Sequence, residues 1–188
     1  MLACLHAQPE RKTSRLRFGR VSNPGAIYFI TLCTKSCIPI LNTPEVGKAT
    51  LAALQSLHNS GDVAAIAATL VPDHFHLLLT LGNRLKIGQV MGKIKALSRS
   101  HGTATWRWQD DGFEHQPRSA EAIEDHGFYI FMNPYRAGLR HLTSSWPWWL
   151  CPQPSQLRFL TAFDQEKLVP PEWLGLSDKI ESKITVGD

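Results

Sequence analysis

The stretch from Val63 to Leu81 constrains the fold more than any other part of the chain. Two apolar runs, Val63 to Val71 and His74 to Leu81, are separated only by Pro72-Asp73, a tight break, so they are expected to pair as antiparallel strands. Ala26 to Cys33, rich in aromatic and β-branched residues, reads as an earlier buried strand. Between them, Thr43-Pro44-Glu45 is a helix start, and Val46, Ala49, Ala53, Leu54 and Leu57 recur at helical spacing until Asn59-Ser60-Gly61. Leu85 to Ser100 returns to that period, with Leu85, Val90, Met91, Ile94 and Leu97 on one side. Thr103 to Trp108 reads as a fourth strand, and Ser119 as the cap of a third helix from Ala120 to Asn133. The order β-α-β-β-α-β-α predicts an α+β fold: a ferredoxin-like antiparallel sheet with helices on one face, plus a C-terminal helix and a small tail.

A chain of 188 residues with 43% hydrophobic content can bury one real core. Residues 1 to 23 are polar and basic and read as a flexible arm; residues 24 to 150 form the main domain. The Pro- and Trp-rich stretch Trp146 to Pro154 marks the boundary with an appendage, 151 to 188. The longest apolar runs fall far short of the roughly 20 residues of a membrane span, and no apolar leader opens the chain, so a cytoplasmic protein without a membrane partner is expected. Cysteines at 4, 33, 37 and 151 form no C-x-x-C pair and are read as reduced thiols.

Net charge is only +4, but residues 1 to 140 hold 16 Lys and Arg against 10 Asp and Glu. Gly82 to Gln109 carries Arg84, Lys86, Lys93, Lys95, Arg99 and Arg107 with no acid, which makes these six the candidate DNA contacts. Such a one-signed stretch attracts phosphate backbones by counterion release, although a solvated helix face has the same composition.

His74-Phe75-His76 opens a strand, where residues i and i+2 share a face, so both imidazoles project together as metal ligands. A pair of edge-strand histidines without metal satisfies the same spacing. On the third helix Tyr129 and Asn133 stand four apart and therefore on one face, just before Pro134, which is expected to end or kink the helix. Tyr129 has a bland alternative as a core aromatic beside Phe128, Ile130 and Phe131.

Three segments in register, Val71-Pro72-Asp73-His74-Phe75-His76-Leu77-Leu78-Leu79, Gly112-Phe113-Glu114-His115, and Tyr129-Ile130-Phe131-Met132-Asn133-Pro134-Tyr135-Arg136-Ala137-Gly138-Leu139, resemble the REP-associated tyrosine transposases, relatives of the single-tyrosine HUH transposases. The resemblance runs from about Ile27 to Trp148. It implies a ferredoxin-like domain in which His74 and His76 are metal ligands, Tyr129 is the nucleophile and Asn133 the third ligand. It also implies single-stranded DNA bearing a hairpin with an adjoining short recognition sequence; the mixed nitrogen and oxygen donors suit a divalent metal, Mn²⁺ or Mg²⁺, and a homodimer is left open. Tyr135 departs from the pattern, as does Trp149-Leu150 after Trp146-Pro147-Trp148.

The expected function is a metal-dependent single-stranded DNA endonuclease and strand transferase working through a 5′-phosphotyrosine. Two other readings stay open: a non-catalytic ferredoxin-like nucleic-acid-binding module, and a metal-dependent hydrolase in which Tyr129 is dispensable. His115 is read as a structural or DNA-contacting residue, and Trp106 and Trp108 as core or as base-stacking rings.

Overall fold

The computed structural model describes residues 22–99, 106–117, 119–161, 163 and 168–186; most of the expected arm, and part of the expected Thr103 to Trp108 strand, lie outside them. The chain order is β1 (Ile27–Cys33), α1 (Pro44–Asn59), β2 (Val63–Leu70), β3 (His74–Leu81), α2 (Ile87–Arg99), β4 (Phe113–His115), α3 (Ala120–Arg136), β5 (Trp149–Leu150) and α4 (Glu172–Val186). The five strands form one antiparallel sheet in the order β4-β1-β3-β2-β5. The first four strands stand in the arrangement expected of a ferredoxin-like β-α-β-β-α-β unit.

β3, at the centre, has apolar side chains on both faces. Phe75, Leu77, Leu79 and Leu81 pack with Ile30 and Leu32 of β1 against α1 and α2. Leu78, with Phe29 of β1, packs against Phe128 to Met132 of α3. A bulge in β2 between Ala65 and Ala67 breaks strict alternation, so that the consecutive residues Ile66 and Ala67 both face α3. Helices thus cover both faces, α1 and α2 on one and α3 on the other.

Ser119 caps α3 as expected, its side chain accepting the amide of Ala122 at 3.0 Å. Thr43 precedes α1 without capping it, because its hydroxyl donates backwards to the Ile40 carbonyl at 2.9 Å. Two expectations need correction. The strand that pairs with β1 is Phe113–His115, not Thr103 to Trp108; of the latter's described residues only Trp108 makes a bridge, to Thr34. Trp106 and Trp108 are buried edge to face, 5.3 Å apart, with the Trp108 indole donating to Ser98 Oγ at 2.9 Å, so they are core residues and not base-stacking rings. Second, α3 does not stop at Asn133 but passes through Pro134 to Arg136. Proline forfeits one amide near a helix end, where following amides still reach back: Ala137 to the Asn133 carbonyl and Leu139 to that of Pro134.

The residues after 150 join the α3 face. Leu157, Val169 and Ile180 are buried in the same cluster as Ile66, Leu78 and Ile130, with Trp173, Phe159 and Phe163 packed around Phe131. Cys33 and Cys151 carry free thiols, whereas Cys37 is disulfide-bonded, against the expectation of reduced cysteines. Among the described residues no helix is long and apolar enough to cross a membrane.

Gly127 of α3 lets the fully buried Leu157 approach closely: a Cβ there would meet Leu157 Cδ2 at 2.4 Å. Gly127→Ala is therefore expected to cost about 1–3 kcal/mol through overpacking. In Gly127→Ala/Leu157→Ala the two losses should sum to less than their separate values, because the second change relieves the clash of the first. Urea unfolding of the three variants measures the coupling.

Candidate active site

His74 and His76 alternate with Phe75, which is fully buried on the α1 and α2 side, so both imidazoles emerge on the α3 side of β3. Their ring centroids are 4.5 Å apart. Each Nδ1 is held by a neighbour: His74 by Asp73 Oδ1 at 2.7 Å, and His76 by Thr31 Oγ1 at 2.9 Å, Thr31 being the residue directly opposite it on β1. The Nε2 of His76 lies 3.3 Å from Asn133 Nδ2.

With the Asn133 amide nitrogen turned toward it, as here, His76 Nε2 accepts and its proton sits on Nδ1, facing Thr31, whose hydroxyl can accept it. A carboxylate can only accept, so His74 likewise carries its proton on Nδ1. In both rings the lone pair is on Nε2, the form in which an imidazole binds a metal while its other nitrogen is anchored. His76 is almost fully buried and further fixed by Phe29, which stacks on it at 5.6 Å and 19°.

α3 brings the other expected residues to this spot. Tyr129 packs edge to face on His76 at 5.3 Å between ring centroids, and Asn133, one turn on, is also buried. Tyr129, His74, His76 and Asn133 therefore form one cluster. Among the described residues no three His, Cys, Asp or Glu side chains are arranged to hold a metal; the side chain that meets the Nε2 of His76 is the Asn133 amide.

Burial pushes the Tyr129 phenol up to about 12; the Glu181 carboxylate adds to this, while Arg136 and a hydrogen bond with Asn133 oppose it. Arg136 lies 5.9 Å over the Tyr129 ring and is itself held by Asp178 at 3.1 Å and by Glu181, both of α4. The other phenol of α3 is occupied elsewhere: Tyr135 donates to the Ser144 carbonyl at 3.2 Å and accepts the Trp146 amide at 3.1 Å.

The six basic residues do not join this cluster. α2 faces the opposite side of the sheet, and Arg84 and Lys93 both pair with Asp62, at 3.0 and 3.3 Å, an acid contributed by the turn before β2. Lys95 reaches the carbonyls of Gln109, Asp110 and Asp111 at 2.6, 3.2 and 3.2 Å and staples that loop to α2. Lys86, Arg99 and Arg107 are exposed, and Arg99 and Arg107 line one cleft with Lys95. Thr31, Asp73, Phe29, Arg136 and Glu181 were not singled out from sequence. Asp73 stood next to the histidine motif, while the others become visible only through the β1–β3 register and the packing of α4.

Residues 23–111 match the model of the family described as Transposase IS200 like, a span that holds β1 to α2 and both histidines. Over that span the chain is similar to the IS200-like transposases. Tyr129 and Asn133 lie beyond it, on a fold that is similar to the structure of a REP-associated tyrosine transposase bound to a REP hairpin. That likeness has 22% identity and a TM-score of 0.59, and covers 69% of this chain and 79% of that one. A crystal structure from Deinococcus radiodurans r1 that carries a provisional transposase name is 19% identical over 55% of this chain and 87% of that one, with a TM-score of 0.43. No curated protein matches the chain. The similarity to the IS200-like transposases supports a transposase-like, DNA-processing function.

Glu181→Gln removes a negative charge near Tyr129 and also releases Arg136 from one of its two acidic partners. Both changes favour the phenolate, so the Tyr129 pKa is expected to fall from about 12. NMR titration of ¹³C-labelled tyrosine, with Tyr129→Phe to assign the signal, should show this decrease; an unchanged or higher value would contradict the electrostatics described.

Proposed function

We propose that this transposase relative is a metal-dependent single-stranded DNA endonuclease and strand transferase that acts through a 5′-phosphotyrosine on Tyr129. The observation that carries the reading is the convergence of Tyr129 and Asn133 from α3 on the ring of His76, whose Nδ1 is already anchored by Thr31.

The donors fit a divalent ion. His74 and His76 have their lone pairs on Nε2, and Asn133 would turn its amide to present Oδ1, a flip that exchanges atoms of nearly equal size. Two imidazole nitrogens and an amide oxygen suit Mn²⁺, and Mg²⁺ where that is the ion supplied. Bound there, the ion would supply Lewis-acid charge against the oxygens that crowd phosphorus during displacement.

The protein's own residues do the rest. The phenol oxygen of Tyr129 forms a bond to phosphorus as the bond from phosphorus to the 3′ oxygen breaks. The phenol gives up its proton and the departing oxygen takes one up, leaving a 5′-phosphotyrosine and a free 3′-OH. Attack by another 3′-OH reverses the step, so strand transfer requires no nucleotide cofactor. With its pKa near 12 the phenol is neutral at pH 7, so loss of its proton is the costly part; Arg136 and Asn133 favour the anion that forms. Tyr135, engaged at Ser144 and Trp146, is no competitor for the phosphate.

The substrate class is single-stranded DNA carrying a hairpin, a reading supported by the fold shared with a transposase solved on a REP hairpin. Lys86, Arg99 and Arg107, exposed on the α2 side, are the candidates for phosphate contacts, while Arg84, Lys93 and Lys95 are engaged within the protein.

The test is incubation of end-labelled single-stranded hairpin DNA with Mn²⁺ and the native protein, Tyr129→Phe or His76→Ala, resolved on denaturing gels. Native protein should cleave and retain a covalent adduct. Tyr129→Phe should bind DNA equally well yet give neither product, and His76→Ala should lose both together with Mn²⁺ binding in calorimetry. Cleavage without an adduct in Tyr129→Phe would replace this reading with a water-activating hydrolase. Binding without cleavage by the native protein would replace it with a binding module.

A further inference from the structure

β4 is a short edge strand whose side chains alternate, and its register on β1 fixes where each points. Phe29 stands opposite His115, Ile30 opposite Glu114, and Thr31 opposite Phe113. Thr31 and Phe29 flank His76 on the α3 face, the first bonded to its Nδ1 and the second stacked on its ring. Phe113 therefore lies on the same face as the site, with β1 between it and the strand that carries the histidines. Its ring meets Phe29 edge to face at 6.3 Å, and it remains 41% exposed. His115, two residues on, is half-buried and stacked on His126 at 5.6 Å.

A single exposed phenylalanine requires no explanation in general. Here its position gives one. The exposed cations Lys86, Arg99 and Arg107 lie on the α2 side of the sheet, and Tyr129 with the histidines on the other. The α2 residues Gly92 and Lys95 line a cleft together with Asp110, Gly112 and Glu114, so α2 runs beside the β4 edge. A strand whose backbone is held on the α2 side, and whose phosphate is presented to Tyr129, would pass the β4 edge, which carries Phe113 on the Tyr129 face. An unpaired base presents a π face whatever its identity, and stacking on an oriented aromatic ring is the usual way single strands are held without sequence readout.

We propose that Phe113 is a stacking subsite for an unpaired nucleobase of single-stranded DNA beside the phosphate that Tyr129 attacks. The inference rests on the proposed function for the location of that phosphate. Phe113 is a positioning residue in this role: it holds the strand and takes no part in breaking the bond.

The experiment uses hairpin oligonucleotides in which 2-aminopurine replaces each unpaired base next to the stem in turn, since stacking on a ring quenches its fluorescence. Native protein should quench one position most strongly. Phe113→Ala should abolish that quenching and weaken binding by roughly tenfold, the order expected for one lost base–aromatic stack. Phe113→Leu, which keeps the apolar bulk, should behave like Phe113→Ala, and Phe113→Trp should restore both readouts. In cleavage assays with Mn²⁺ the loss in Phe113→Leu should appear in KM. Should Phe113→Ala fail to fold, Phe113→Leu decides alone. Quenching and affinity unchanged in Phe113→Leu would overturn the inference, as would recovery failing in Phe113→Trp. The two claims separate in His76→Ala, which should retain the quenching while cleavage is lost. If the native protein neither cleaves nor forms an adduct, the proposed function fails while the quenching experiment still judges Phe113.

Discussion

The two-residue alternation of β3 is the constraint on which the rest of the molecule depends. Phe75, Leu77 and Leu79 are fully buried against α1 and α2, and Leu78 is fully buried against α3, so the register of this central strand is pinned from both faces. A slip by one residue would carry four large apolar side chains to the wrong layer and turn His74 and His76 away from α3. The burial that stabilises the sheet thus also orients the imidazoles. A nearly buried imidazole is costly unless its nitrogens are satisfied, and Thr31 and Asn133 do that for His76.

A second layer of constraint comes from α4. Arg136 lies over Tyr129 and is held by Asp178 and Glu181, so the charge next to the phenol is set by residues some fifty positions later in the chain. Burial and Glu181 keep the phenol neutral, while Arg136 and Asn133 favour its anion. Burial outweighs the opposing charges, and the chain beyond residue 150 belongs to the site's electrostatics as well as to its packing.

Much of this was legible in the sequence where periodicity was strong. The bounds of α1 and β3, and the start of α3 at Ser119, follow from spacing and capping and agree with the structure. The histidine pair was legible because a strand displays i and i+2 together, and Tyr129 with Asn133 because a helix displays i and i+4 together. What was hidden depended on contacts between distant segments. Thr31 is an ordinary strand residue until the β1–β3 register sets it opposite His76. β4 was misplaced because a three-residue strand has too little periodicity to compete with the stretch around Trp106 and Trp108, whose two indoles are core. Pro134 was expected to end α3, yet near a helix terminus its missing amide costs little. The stretch from Arg84 to Arg107 showed no acid, but Asp62 reaches two of its cations from outside that window, and Lys95 spends its charge on three carbonyls.

The central claim is that a phenol, and this phenol, bonds to phosphorus. The most direct measurement is mass spectrometry of tryptic peptides from protein trapped on single-stranded hairpin DNA with Mn²⁺ and then digested with nuclease. The account predicts a nucleotide remnant on Tyr129, within the segment that carries Asn133, and an unmodified Tyr135. A remnant on Tyr135, or on no tyrosine while cleavage proceeds, would contradict it.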